Sequence, residues 1–245
     1  MNSLGGGRRL GRRVGICKGA GAGHLRIHGS RLRSAVKGKA DSMDEAVVVP
    51  VGLGACEIQV ARHSSVSTSR RLAFCAAALR EQAWVRDAVP GLISLLVEWQ
   101  PGAIQAAACA QELLAQWQAS DGQAVSGSCH HIPVIYDGED LAAVAAYCGL
   151  TTAEVISRHS APEYLVACIG FQPHFPYLLG LDEALQVPRR DEPRVRVPAG
   201  SVAIAGKQAA IYPSATPGGW HLLGHCDPAH CLPLAAGDSL RFEVA

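Results

Sequence analysis

Aromatic residues are scarce in this 245-residue sequence, at 5%, so aliphatic side chains must supply most of any core. No apolar stretch approaches the ~20 residues that a membrane-spanning helix requires, and we therefore expect a soluble protein with no membrane partner. The glycine-rich GxxxxGK motif is missing, which excludes a conventional phosphate-binding loop. The nine cysteines contain no CxxC pair and several lie in apolar runs, which favours reduced thiols in a cytoplasmic protein.

Basic residues are concentrated at the start of the chain. Residues 1–42 hold ten Lys or Arg and one acid, so this segment carries +9 and the remainder −8 of the net charge of +1. The segment is rich in Gly and Ser and has no apolar periodicity, which predicts a disordered basic leader. A translation start at Met43 is the favoured interpretation; a solvated basic arm for nucleic acid or membrane and an organellar transit peptide are the alternatives. We expect no nucleic-acid partner.

Residues 43–122 show the pattern of a small α/β domain. Apolar runs predict strands over 47–49, 55–60, 84–89 and 92–99, and helical spacing predicts helices over 67–82 and 103–118. The order ββαββα is typical of a compact α+β unit, and residues 121–128 are the expected linker.

Residues 129–245 have a different pattern. A strand over 131–136 and a helix over 140–148 come first, and then Thr151 and Glu154 form a capping box that begins a helix ending near His159. Beyond Tyr164, short strand-like runs alternate with turns rich in Pro and Gly, which predicts a closed or nearly closed β-barrel. The fold class is therefore α+β.

Three stretches of the second half carry a family resemblance. The first, from Ile132 to Tyr164, contains IPVIY, GLT and HSAPEY; the second, from Gly170 to Arg190, contains GFQPHFPYL, GLD and PRR. The third, from Val197 to Trp220, contains VPAGSVAIAGKQ, IYP and PGGW. Together they resemble the family of 5-oxoprolinase B subunits, also described as allophanate hydrolase subunit 1 and sporulation-kinase inhibitor proteins.

The resemblance implies a cyclophilin-like β-barrel domain over 129–245. It also implies ATP (with Mg) as cosubstrate in a complex, a partner subunit with a second cyclophilin-like half, and a third 5-oxoprolinase subunit. Two departures stand out: His174 replaces a usual Gly, and the segment after Gly224 lacks about one strand, so imperfect closure of the barrel is expected.

Three residues are the predicted catalytic set. His159 ends a helix, whose dipole favours the protonated ring, and a pKa near neutrality suits an acid or base. Arg189 and Arg190 follow Pro188, and a guanidinium suits a carboxylate or phosphate. The family resemblance selects Arg189, and the other arginine of the pair is expected to be a solvated surface charge. Gln208 is expected to orient a small polar substrate. For His159 the alternative is a histidine that only caps helix carbonyls, and for Gln208 it is a structural hydrogen bond.

A wider set of loop and strand residues is predicted to bind substrate: Gly170, Phe171, Pro173, Tyr177, Ser201, Tyr212, Gly218, Gly219 and Trp220. For Phe171, Tyr177 and Trp220 the alternative is packing in the core or at a subunit interface. For Ser201 and Tyr212 it is a structural hydrogen bond. Gly218 and Gly219 are expected to form a turn that only glycine makes without strain. The histidines and cysteines between His221 and Cys231 fit no strong zinc spacing, so no metal is expected.

Opening of the lactam of 5-oxoproline to glutamate is the leading functional hypothesis. One alternative is the carboxyltransferase half of a urea-type biotin-dependent carboxylase. The other is a binding protein that inhibits a histidine kinase.

Overall fold

A computed structural model of the chain describes residues 46–60, 63–123 and 127–245. The predicted leader, residues 1–42, and Met43 lie outside the described residues, as does part of the expected linker. No helix in the described ranges is long and apolar enough to cross a membrane.

The first half forms a four-stranded antiparallel sheet with two helices. Strand order is β1-β2-β4-β3, and the elements are β1 (Val47–Val51), β2 (Ala55–Gln59), α1 (Val66–Arg80), β3 (Val85–Pro90), β4 (Ser94–Trp99) and α2 (Ala106–Ala119). The Ser65 hydroxyl accepts a hydrogen bond from the Thr68 amide and so caps α1. The predicted order ββαββα is confirmed.

The second half begins with β5 (Cys129–Val134), α3 (Leu141–Cys148) and α4 (Thr152–Ser160). Gly149 ends α3 in the left-handed conformation at φ 67°. The predicted capping box is present, because the Thr151 side chain accepts from the Glu154 amide and the Glu154 carboxylate accepts from the Thr151 amide.

Eight further strands follow: β6 (Tyr164–Ile169), β7 (Pro176–Leu179), β8 (Arg194–Val197), β9 (Ser201–Ala205), β10 (Gln208–Ile211), β11 (Thr216–Gly218), β12 (His221–His225) and β13 (Ser239–Val244). Seven strands form one sheet in the order β12-β9-β10-β7-β6-β13-β5, and β11 pairs with β8 in a separate ribbon. Sequence patterns did not predict β7, β11 or β12.

The seven-stranded sheet curls until its two edges meet. The amide of Ile135, just after β5, donates to the carbonyl of His225 in β12, and the reverse bond is also 2.9 Å. Two further bonds continue this seam, from the amides of Gly138 and Asp140 to the carbonyls of Leu223 and Leu222. The sheet is therefore nearly closed, although the shortened tail predicted imperfect closure. Gly138 permits this approach, because a Cβ there would collide with the Leu222 carbonyl.

Two apolar cores lie on the two faces of this sheet. On the inner face, residues of β5, β6, β9, β10 and β13 pack with α3 and α4, and Tyr164, Ile204 and Phe242 are among those fully enclosed. On the outer face, Phe175 and Trp220 pack on small residues of β9 and β10. The predicted fold class is confirmed, and its physical basis is the alternation of side chains along each strand.

The limits predicted for the two domains stay a prediction. Residues of both sheets belong to one compact unit, and α1 and β3 contact β6. The four-stranded sheet has its own core, built on residues such as Leu72, Leu95 and Leu113.

Candidate functional site

Arg189 and Gln208, two of the three predicted catalytic residues, lie in one cleft. Its volume is about 500 Å³. The wall from the first half consists of His63 and Ser64, before α1, and Leu92 and Ile93, in the β3–β4 turn. The wall from the second half consists of Arg189 and the segment from Ala205 to Gln208.

The cleft is electropositive. Arg189 and Lys207 are both exposed cations, Gln208 offers an amide, and none of the lining residues is an acid. A guanidinium and an ammonium without a competing carboxylate suit a small anion such as a carboxylate or a phosphate. We refer to the cleft as the anion cleft.

A short backbone bond brings these groups together. The Gly206 amide, in the turn between β9 and β10, donates to the carbonyl of Val187 at 2.6 Å. The turn therefore holds Lys207 and Gln208 beside the segment that carries Arg189. Gly206 takes φ 56°, which the tight turn requires.

Aromatic residues lie beneath Arg189. Its guanidinium carbon is 5.9 Å from the centre of the Trp220 ring, which in turn contacts Tyr177 at 5.9 Å between centroids. Burial raises the pKa of Tyr177, and raises the pKa of Tyr212 to about 12, although the Arg189 charge opposes both shifts. Both hydroxyls thus stay protonated at neutral pH. The face of the Trp220 ring adds a modest attraction for the Arg189 guanidinium.

Arg189 also borders a second cleft of about 510 Å³. Its other walls are α3, through Ala143, Val144 and Tyr147, and the segment from Val187 to Glu192 with His221. The two clefts share Arg189, so this side chain is the point where they meet.

Comparison with known proteins identifies the fold and the family. Residues 46–231 match the family described as carboxyltransferase domain, subdomain C and D. The chain is 40% identical over 210 residues to the B subunit of 5-oxoprolinase from Escherichia coli O157:H7, a match that covers 82% of this chain and 96% of that protein. The chain belongs to the family of 5-oxoprolinase B subunits.

Solved structures agree with this family assignment. The structure of TTHA0988 is 37% identical with a TM-score of 0.66, and the match covers 79% of this chain and 40% of that one. Kluyveromyces lactis urea carboxylase is 16% identical with a TM-score of 0.65 over 86% of this chain and 23% of that one, which shows a shared fold. The chain thus spans about two fifths of the solved chain TTHA0988.

His159 does not line the anion cleft of this member of the 5-oxoprolinase family. Its ring is 0% exposed, stacks on Phe242 at 4.7 Å and bonds through Nδ1 to the Tyr136 hydroxyl at 2.8 Å. Burial lowers the pKa of His159 to about 3. The expected protonated ring is therefore wrong, because loss of hydration outweighs the dipole of the short helix α4. Its catalytic role stays a prediction that no contact with the cleft supports.

The residues predicted to bind substrate are dispersed. Tyr212 and Trp220 are buried in the outer core, a position that agrees with the packing alternative given for Trp220. Ser201 is 4% exposed, and its carbonyl accepts from the Tyr212 amide. Three of them have a described link to Arg189: Trp220 lies under its guanidinium, and the Arg189 charge acts on the pKa of Tyr177 and of Tyr212. Substrate binding by all nine residues stays a prediction.

The turn before β7 stands apart from this group. It contains Gly170, Phe171 and Pro173, and none of these lines either cleft. Phe171 is 62% exposed and, like His174, has positive φ, at 68° and 63°. The positive φ explains why glycine is usual in the family at the position of His174.

Gly218 and Gly219 were expected to form a turn that only glycine makes without strain, and this prediction is wrong. Neither Gly218 nor Gly219 has positive φ, so no turn demands them. A Cβ on Gly218 would instead lie 2.5 Å from the Tyr212 hydroxyl, so close packing excludes a side chain there. Gly219 has room, since the nearest atom to its Cβ would be 3.7 Å away.

Sequence reasoning missed several residues of the site. Lys207 lies within the third motif and could have been found there, whereas His63 and Leu92 come from the first half and carry no local signal. Asp140 was also missed; it is a buried carboxylate that binds Arg190 and Arg194. Within the described ranges, no cluster of three His, Cys, Asp or Glu side chains could hold a metal.

Proposed function

We propose that this chain is a subunit of an ATP-dependent 5-oxoprolinase, which opens the lactam of 5-oxoproline to give glutamate. The observation that carries the proposal is the anion cleft, in which Arg189, Lys207 and Gln208 meet without any acid. The family supports it, since a relative 40% identical over nearly its whole length is the B subunit of a 5-oxoprolinase.

The chemistry of the cleft suits the substrate. 5-Oxoproline carries one carboxylate and a lactam with adjacent N–H and C=O groups. Arg189 and Lys207 would bind the carboxylate, and the Gln208 amide, which both donates and accepts, would pair with the lactam. In the overall reaction the ring C–N bond breaks, one water supplies oxygen to the carbonyl carbon, and the ring nitrogen takes up protons to become the amine of glutamate. A second water is consumed as ATP becomes ADP and phosphate.

The described residues fit the anionic part of ATP better than its magnesium. The two cations of the anion cleft suit a phosphate, but its lining contains no carboxylate to bind Mg²⁺. We therefore propose that ATP and Mg are bound jointly with partner subunits, one with a second cyclophilin-like half and a third completing the enzyme. This chain would hold and orient an anion at a site shared with them.

A cytoplasmic location is part of the proposal. The eight described cysteines are all free thiols and six of them are buried, as is common in a reducing compartment.

The test is reconstitution with the two partner subunits, ATP and 5-oxoproline. We expect Arg189→Ala to lower kcat/KM by roughly 10- to 150-fold, mainly through KM, because it removes a charged hydrogen-bond donor worth about 1.5–3 kcal/mol. Arg196→Ala is the matched control, since Arg196 is exposed on β8 and lines neither cleft. Absence of glutamate above the partners-only level would reject the function, and an unchanged KM in Arg189→Ala would reject the site.

A carboxyltransferase half is the second candidate, favoured by the family description and by the fold shared with urea carboxylase. Transfer of a carboxyl group from carboxybiotin to urea by the reconstituted chain, with no turnover of 5-oxoproline, would select it. Inhibition of a histidine kinase stays a prediction.

A further inference from the structure

The segment that carries Arg189 is tied to its surroundings on both sides. Before it, the carbonyl of Pro188 accepts a hydrogen bond from His221 Nε2 at 3.0 Å. After it, the Arg190 amide donates to the Gly219 carbonyl at 2.9 Å, and Arg190 Nη1 donates to Asp140 Oδ1 at 2.8 Å. Arg189 itself makes no hydrogen bond among the described residues, so its guanidinium is left for a ligand.

Asp140 is the centre of these ties. The residue is 4% exposed and comes directly before α3. Besides Arg190, its Oδ1 accepts from Arg194 Nη2 at 2.8 Å, and its Oδ2 accepts from the Leu222 amide at 2.8 Å. Burial alone would raise the pKa of Asp140, but the hydrogen bonds from Arg194 and Leu222 and both positive charges lower it, so the group is ionised. One carboxylate thus joins the Arg190 segment, β8 and β12.

His221 makes the second tie and leaves one of its ring nitrogens without a hydrogen-bond partner among the described residues. Its Nδ1 is buried and has no hydrogen-bond partner among the described residues, while Nε2 holds the Pro188 carbonyl. A buried polar atom without a partner is unfavourable and tends to persist where another demand fixes the side chain. Here that demand is the position of the segment between Pro188 and Arg190.

We infer that Asp140 and His221 are positioning residues that fix the backbone on either side of Arg189 and so preorganise its guanidinium above Trp220. The inference rests on the proposed function, because it gives Arg189 the role of anion ligand. An arginine on a fixed backbone loses less freedom when it binds an anion, and small displacements of a binding group reduce turnover strongly. Neither residue touches the substrate in this scheme.

The first experiment measures order at Arg189 and needs no activity. With arginine labelled by nitrogen-15, the full chain should show a restricted Arg189 Nε–H signal in the heteronuclear Overhauser experiment. His221→Ala and Asp140→Asn should each make that signal more mobile, whereas His221→Gln, which keeps a donor, should largely restore it. The exposed Arg196 signal is the internal reference and should not change. An Arg189 signal that is as mobile in the wild type as in the variants would overturn the inference.

The second experiment measures turnover in the reconstituted complex. We expect Asp140→Asn and His221→Ala each to lower kcat/KM for 5-oxoproline about tenfold, with partial recovery in His221→Gln. Asp137→Asn is the matched control, because Asp137 pairs with His225 on the surface and lies in neither cleft. If Asp140→Asn does not fold, the two His221 variants still decide the matter. Equal kcat/KM in His221→Ala and wild type would overturn the inference, while an inactive wild-type complex would reject only the proposed function.

Discussion

Acid should destabilise this protein through His159. The ring is fully enclosed, and burial lowers its pKa from 6.5 to about 3. In the unfolded chain the same ring takes up a proton near pH 6.5, so the unfolded state binds more protons below that value. The contribution of the neutral His159 ring to stability is therefore fully present above about pH 6.5 and is lost progressively as the pH falls toward about 3.

The magnitude follows from the two pKa values. Each pH unit below 6.5 costs about 1.4 kcal/mol until the native ring titrates. Between about pH 7 and about pH 5 the loss is roughly 2 kcal/mol, and it approaches roughly 5 kcal/mol near pH 3. Other groups also titrate in this range, so a comparison with a variant is needed.

His159→Phe is that variant, because a phenyl ring keeps the stack on Phe242 and has no proton to take up. Urea unfolding followed by circular dichroism at about pH 7 and about pH 5 gives the free energy of unfolding for both proteins. The wild type should lose roughly 2 kcal/mol more than the variant over this interval. Equal losses would refute the argument and would reopen a role for His159 as a solvent-linked acid or base.

Two further pairs of substitutions test the packing and the backbone. Gly218→Ala should destabilise the protein by about 1–3 kcal/mol, because its Cβ would lie 2.5 Å from the Tyr212 hydroxyl. Gly219→Ala is the control and should destabilise it far less, since the nearest atom to its Cβ would be 3.7 Å away. Similar urea midpoints for the two variants would contradict this. His174→Gly should raise the free energy of unfolding by about 1 kcal/mol relative to His174→Ala, since φ at this position is 63°. Equal stability of the glycine and alanine variants would show that the turn stores no strain.

Local patterns predicted most of the elements, because the forces that form them act over a few residues. The capping box at Thr151 and the left-handed Gly149 depend only on neighbours in sequence, and both are present. Strands β7 and β12 escaped prediction for the opposite reason. β7 begins at Pro176, and β12 is interrupted by a register shift near Gly224, so neither shows a clean alternation of polar and apolar residues.

The site was only partly predictable. Arg189 and Gln208 were found through motifs, but what unites them is the bond between Gly206 and Val187, which joins two separate segments. His159 was misjudged because its environment depends on Phe242, a residue far along the chain that no helix-end argument includes. The role of the buried Asp140 could not be predicted either, since its partners lie 50 to 82 positions away in the sequence.

The filled inner face of the barrel decides where a substrate can bind. Aliphatic and aromatic side chains of the strands close on α3 and α4, with residues such as Ile204 and Tyr164 fully enclosed, so the inner face is a mostly apolar lining that does not suit a charged ligand. Arg189 and Lys207, the two cations of the anion cleft, lie outside the barrel, where the β9–β10 turn faces the loops of the first half. Because Leu92 and Ile93 provide an apolar wall opposite Lys207, the first half completes the anion cleft, and the barrel alone should bind the anion more weakly than the whole chain.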